Sequence, residues 1–135
     1  KGSVVGNGAG VVVLKRLAEA VRDKDHIYGV IKGTAVSNDG RNKSAFATPS
    51  HEGQAKAISS ALAIADVPVE TIGYVEAHGT GTLVGDPIEF LGLKQAYESF
   101  TDKKEFICLG SVKPNIGHLD AAAGVCGLIK VLLCT

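Results

Sequence analysis

The sequence predicts an α/β domain with at least partly parallel strands, on two observations. Apolar runs rich in β-branched residues alternate along the chain with segments whose apolar residues recur at helical spacing, the strand–helix–strand–helix order of parallel-sheet proteins. The stretch 119–133 carries only Asp120 and Lys130 as charged residues. A helix apolar nearly all round is buried on all sides, and sheets on both of its faces would explain that.

The elements follow in order. Residues 10–14 (GVVVL) predict a buried strand. Leu14, Leu17, Ala18 and Val21 then recur at helical spacing and predict a short helix over 15–22. Residues 27–36 alternate loosely and predict a second strand, and 37–50 read as a polar loop with the turn signal Asn-Asp-Gly at 38–40. Ala55, Ile58, Leu62 and Ala65 share one face of an amphipathic helix that Pro68 closes. Residues 72–77 predict a strand. Asp86 as N-cap, Pro87 at the first helical position and Glu89 three after the cap predict a helix start. Residues 106–112 predict another strand, 113–118 a loop, and 119–133 the buried helix. Ala121, Ala122, Ala123, Gly124 and Gly127 let neighbouring backbones approach that helix closely.

Composition narrows the function. A chain of 135 residues has room for one ordinary domain or a piece of a larger one. Its 14 basic and 14 acidic residues balance, so no basic excess points to a nucleic-acid backbone. Aromatic residues are only 5% and Trp is absent, which leaves no stacking platform for bases. The apolar stretch 121–129 falls short of the roughly 20 residues a bilayer requires. With no Met and an opening at Lys1, the chain reads as a soluble segment cut at both ends. Its 3 cysteines lack metal-ligand spacing and read as small buried hydrophobes in a reducing compartment, the cytoplasm.

Two histidines hold the chemistry. His78 follows the strand over 72–77 and His118 follows the strand over 106–112, each opening a turn toward a helix. If those strands are parallel neighbours, both side chains emerge at the carboxyl edge, where open α/β sheets bind ligands. Gly79, Thr80, Gly81 and Thr82 form a loop that a ligand could approach closely, with two hydroxyls on offer. Lys113, taken alone, reads as solvated; Asn115 lies between it and His118. Other signals are weak. The glycine run 6–10 misplaces its third glycine for a dinucleotide fingerprint. His51-Glu52 lacks the second histidine of a zincin, and Asn42-Lys43-Ser44 is a glycosylation sequon with no sign of secretion. Cys126 and Cys134 read as inert core.

The runs VEAHGTGTLVGDPIEF (75–90) and GSVKPNIGHLDAAAGVCGLIKVLL (110–133) resemble the ketosynthase domain of modular polyketide synthases, and more broadly the β-ketoacyl synthases of the thiolase superfamily. The resemblance extends over essentially the whole chain. It implies a thiolase-like αβαβα sandwich, here partial, with 1–50 ending the N-terminal half and its connecting loop, and 51–135 forming the C-terminal half without its closing strands. It implies decarboxylative condensation of an acyl thioester with a malonyl-type extender, and no directly bound cofactor. Substrates ride on the phosphopantetheine of an acyl carrier protein. A homodimer of ketosynthases and an adjacent acyltransferase domain are the other implied partners, with no nucleic acid and no membrane span. Carried over by motif, His78 and His118 are catalytic, Lys113 supports the second histidine, and Thr80 and Thr82 contact the pantetheine arm, with Gly79, Gly81 and Asn115 as supporting loop residues. The family's nucleophilic cysteine lies upstream of Lys1, so none of the three cysteines matches it and the segment alone should be inactive.

Position 118 opens a helix, whose dipole disfavours an imidazolium there, so His118 is expected to act as a neutral donor. The chain departs from the family at Asn7, where Glu is usual, at Pro114, where Ser or Thr is common, and at 44–47. Pro114 is expected to hold Lys113 extended. Gly127 stands where dissociated bacterial enzymes tend to carry Glu, which favours a modular polyketide synthase. The alternatives are the ketosynthase of a multidomain fatty-acid or polyunsaturated-fatty-acid synthase, a non-elongating acyl-transfer relative, and a docking domain that keeps the fold without chemistry.

Overall fold

The computed structural model describes residues 2–40 and 49–134. The sequence features at 41–48, among them the sequon and the run 44–47, lie outside the described residues. Helix α1 spans Leu17–Asp23, α2 His51–Ala65, strand β1 Tyr74–Glu76, α3 Gly85–Glu98, β2 Cys108–Gly110, α4 Lys113–Ile116 and α5 Ala123–Cys134. Single 3₁₀ turns occupy Val69–Thr71 and Asp120–Ala122.

The strand–helix–strand unit expected from the sequence is present. β1 and β2 pair in parallel with Tyr74 opposite Cys108, Val75 opposite Leu109 and Glu76 opposite Gly110, and α3 connects them. The ladder runs on through Cys108 N–H to the Gly73 carbonyl at 2.9 Å and Ala77 N–H to the Gly110 carbonyl at 2.7 Å. α2 packs on α3, where Gly92 lies against Gln54 and the His51 carbonyl, and Ala55 and Ala96 are buried. Ser50 caps α2 by accepting from Gly53 N–H, and Asp66 in the left-handed conformation ends it two residues before Pro68.

Several expectations are corrected. Residues 10–14 and 27–36 form no strand among the described residues, and Val11, Val13 and Val36 are exposed. A β-branched run carries strand propensity, but a ladder needs a partner. In the N-terminal region the only pairing among the described residues is a single parallel bridge of Val5 with His118. α5 is not covered all round: Gly127 is its only buried residue, while Leu128 and Leu133 are exposed. α3 starts two residues early, at Gly85, with Val84 rather than Asp86 at its N-cap position and no side-chain cap. Residues 113–116 are helical rather than loop. Pro114 stands in the first turn, where a missing N–H costs nothing, so Lys113 is helical and not extended. Cys108 and Cys134 are exposed and Cys126 half-buried, so the cysteines are not a buried set.

The N-terminal segment reaches the site through close backbone approach. His118 N–H donates to the Val4 carbonyl at 2.8 Å and Gly6 N–H to the His118 carbonyl at 3.0 Å. A Cβ on Gly6 would stand 2.6 Å from the Ile116 carbonyl oxygen, so only glycine permits this contact.

Candidate active site

The parallel pairing of β1 and β2 carries the backbone to His78 and, through α4, to His118 on the same side. The two rings meet edge to face, their centres 5.1 Å apart and their planes at 84°. The sequence expectation that the two converge is therefore met in space.

Each imidazole is held by its Nδ1. His118 Nδ1 accepts the backbone N–H of Asp120 at 3.0 Å. A backbone amide can only donate, so the ring proton of a neutral His118 sits on Nε2. His78 Nδ1 lies 3.1 Å from Lys113 Nζ, an ammonium that likewise can only donate. Partial burial first, and the Lys113 ammonium next, hold His78 below the ordinary imidazole value; His118 adds to this, while the Glu89 and Asp86 carboxylates pull the other way. Both neutral rings thus carry their proton on Nε2. Lys113 is buried, not solvated, and it faces His78 rather than His118. Asn115 lies on α4, exposed, with its backbone N–H on the Val112 carbonyl at 2.9 Å.

The loop after His78 is held by two carboxylates that cap rules alone would assign to the start of α3. Glu89 accepts His78 N–H at 2.6 Å through one oxygen and Gly79 N–H at 2.9 Å through the other. Asp86 accepts Gly81 N–H at 3.1 Å. Thr82 Oγ1 accepts Gly85 N–H at 3.0 Å and lies 3.2 Å from Thr80 Oγ1. The signal was visible in GDPIE, but cap rules look only along the helix, whereas these acids reach back across the preceding loop. His78, Thr80, Thr82 and Glu89 line a cleft of about 410 Å³ together with Pro49 and Gln54. Gln54 stands on α2, and no motif pointed to it. None of the three cysteines lines that cleft. Among the described residues no cluster of His, Cys, Asp and Glu could hold a metal ion.

The parallel βαβ unit thus brings two donor imidazoles to one sheet edge beside a threonine-lined cleft. The description "Beta-ketoacyl synthase, C-terminal domain" matches residues 28–135, and the chain belongs to that family. Polyketide synthase PksM of Bacillus subtilis (strain 168) is 50% identical over 131 residues, 97% of this chain and 3% of its own length. Polyketide synthase PksN of the same organism is 48% identical over 132 residues, 98% of this chain and 2% of its own. The ketosynthase from module 1 of the bacillaene synthase of Bacillus amyloliquefaciens FZB42 superposes with a TM-score of 0.85 at 50% identity, over 88% of this chain and 23% of that one. The chain therefore has the fold of part of a thiolase-like ketosynthase domain. It spans a small share of the relatives it matches.

Proposed function

We propose that the site belongs to a ketosynthase domain of a modular polyketide synthase and performs the decarboxylative half of a Claisen condensation. A malonyl-type thioester, carried on the phosphopantetheine of an acyl carrier protein, loses carbon dioxide by breaking the bond between its α-carbon and its carboxylate. The electron pair passes onto the thioester as an enolate, whose oxygen becomes negative. Two Nε2–H donors aimed at that oxygen stabilise it, and their tautomers are fixed beforehand by Asp120 N–H and Lys113. The enolate carbon then attacks an acyl thioester on a cysteine outside this chain. The carbonyl carbon–sulfur bond breaks and the product is longer by two carbons. Thr80 and Thr82, on the wall of the cleft, would take the pantetheine arm.

The observation that carries the reading is the edge-to-face meeting of His78 and His118. The acyl carrier protein, a ketosynthase homodimer, a neighbouring acyltransferase domain and a cytoplasmic setting belong to the same proposal. It is supported by the polyketide synthases among the relatives and by the absence, among the described residues, of a helix long and apolar enough to cross a membrane. A second reading is a multidomain fatty-acid-type synthase, favoured by 43% identity to the PfaC keto synthase-chain length factor; it shares the same chemistry at this site. A non-elongating role is disfavoured because both histidines are present.

In a complete ketosynthase domain carrying this segment, His78→Ala and His118→Ala are each expected to lower malonyl decarboxylation by about 10²–10³, the usual effect of removing one such donor, while acyl transfer to the cysteine persists. Undiminished decarboxylation in either variant contradicts the assignment.

A further inference from the structure

Glu76 ends β1, two residues before His78. One of its carboxylate oxygens accepts the backbone N–H of Val112, the residue immediately before Lys113. The other accepts Lys130 Nζ at 2.7 Å and the Tyr74 hydroxyl at 2.6 Å, and Lys130 also donates to that hydroxyl at 2.6 Å. The Glu76 side chain is only 12% exposed. On α5 its neighbour is the buried Gly127, where a Cβ would fall 3.1 Å from Glu76 Cγ. The carboxylate thus occupies a slot that the absent side chain leaves open. Burial alone would push its pKa up, but Lys130, then Tyr74 and the Val112 amide, outweigh it and keep the carboxylate ionised.

A half-buried ion pair is weak evidence for stability, because desolvation offsets much of the Coulomb gain. Its connections are more informative. β1 leads to His78, Val112 leads to Lys113, and α5, which holds Lys130 and Gly127, follows His118. One carboxylate therefore ties together the three elements that carry the candidate site. Resting on the function proposed above, we propose that Glu76 is a positioning residue of that site: by fixing Val112 against β1 and α5 it sets the Lys113 ammonium on His78 Nδ1. The lysine approach is as close as 3.1 Å, and a misplacement of the order of 1 Å costs about 10²-fold in well-positioned sites.

The test uses a complete ketosynthase domain carrying this segment, with malonyl decarboxylation followed as a function of pH. Glu76→Gln keeps the side-chain length but gives up the charge on Lys130 and offers only one acceptor oxygen. It is expected to lower kcat by about ten-fold with KM nearly unchanged, a smaller loss than a full misplacement. It should also move the acid limb to higher pH, because Lys113 no longer stands on His78. Lys113, His118, Glu89 and Asp86 are the charged and titratable groups that act on that ring, and only Lys113 is displaced by the change. A merely structural brace would lower stability without moving the limb. Lys130→Met, which leaves the carboxylate in place, serves where Glu76→Gln does not fold and should shift the limb in the same direction by less. A folded Glu76→Gln domain with unchanged kcat and acid limb overturns the proposal if His78→Ala in parallel loses decarboxylation. If His78→Ala also keeps full activity, the reading of the site falls and the role of Glu76 with it.

Discussion

The two imidazoles reach the same tautomer by different means, and the difference is testable at single residues. His118 depends on a backbone amide, which no side-chain change short of proline at 120 removes, whereas His78 depends on Lys113. Lys113→Met is therefore expected to raise the pKa of His78 toward the ordinary imidazole value and to shift the acid limb of decarboxylation upward. Titration of the two rings by NMR checks this, and an unmoved His78 would count against the contact. The depressed value also bears on stability. Folded His78 binds a proton less readily than unfolded His78, so its contribution is intact above the ordinary imidazole pKa and declines as pH falls from there toward the depressed folded value. The motif run pointed to Lys113 but attached it to His118. Its partner was not legible because α4 turns the lysine back toward β1, and sequence spacing had suggested a loop.

At the scale of elements, GDPIE acts as a clamp on the loop before it rather than as a cap on the helix it opens. Glu89→Ala leaves the amides of His78 and Gly79 without their acceptor. Unsatisfied donors cost about 1–3 kcal/mol each when buried and less where water can replace the carboxylate. The variant is expected to fold, with kcat for decarboxylation lowered by about ten-fold through a loosened His78; full activity would show that the loop holds itself. The N-terminal segment offers a second check. Gly6→Ala places a methyl group 2.6 Å from the Ile116 carbonyl, and overpacking of this kind costs about 1–3 kcal/mol, readable as a lowered thermal midpoint. The helices with strong periodicity and the parallel β1–β2 pair were legible because their pattern and their partners lie within a short span of chain. The runs at 10–14 and 27–36 form no strand because their propensity is local while pairing is not.

For the whole molecule, burial is the informative quantity. Among the described residues only Ala20, Ala55, Ala96 and Val69 make up the buried apolar set and no large side chain is fully covered, while Val13 is 92% and Val36 98% exposed. A chain with this surface is expected to self-associate when made alone, which sedimentation against concentration would register; a monomer at all concentrations would contradict it. The site nevertheless keeps its donors in register, because β1, β2, α3 and α4 that carry them lie close together in sequence and brace one another. The proposed chemistry needs two neutral rings, each offering Nε2–H to one oxygen. Nitrogen-15 NMR of the histidine side chains, in a complete domain at neutral pH, reads it directly. Protonated Nε2 and bare Nδ1 are expected on both His78 and His118; an imidazolium, or an Nδ1–H tautomer on either ring, would overturn the mechanism.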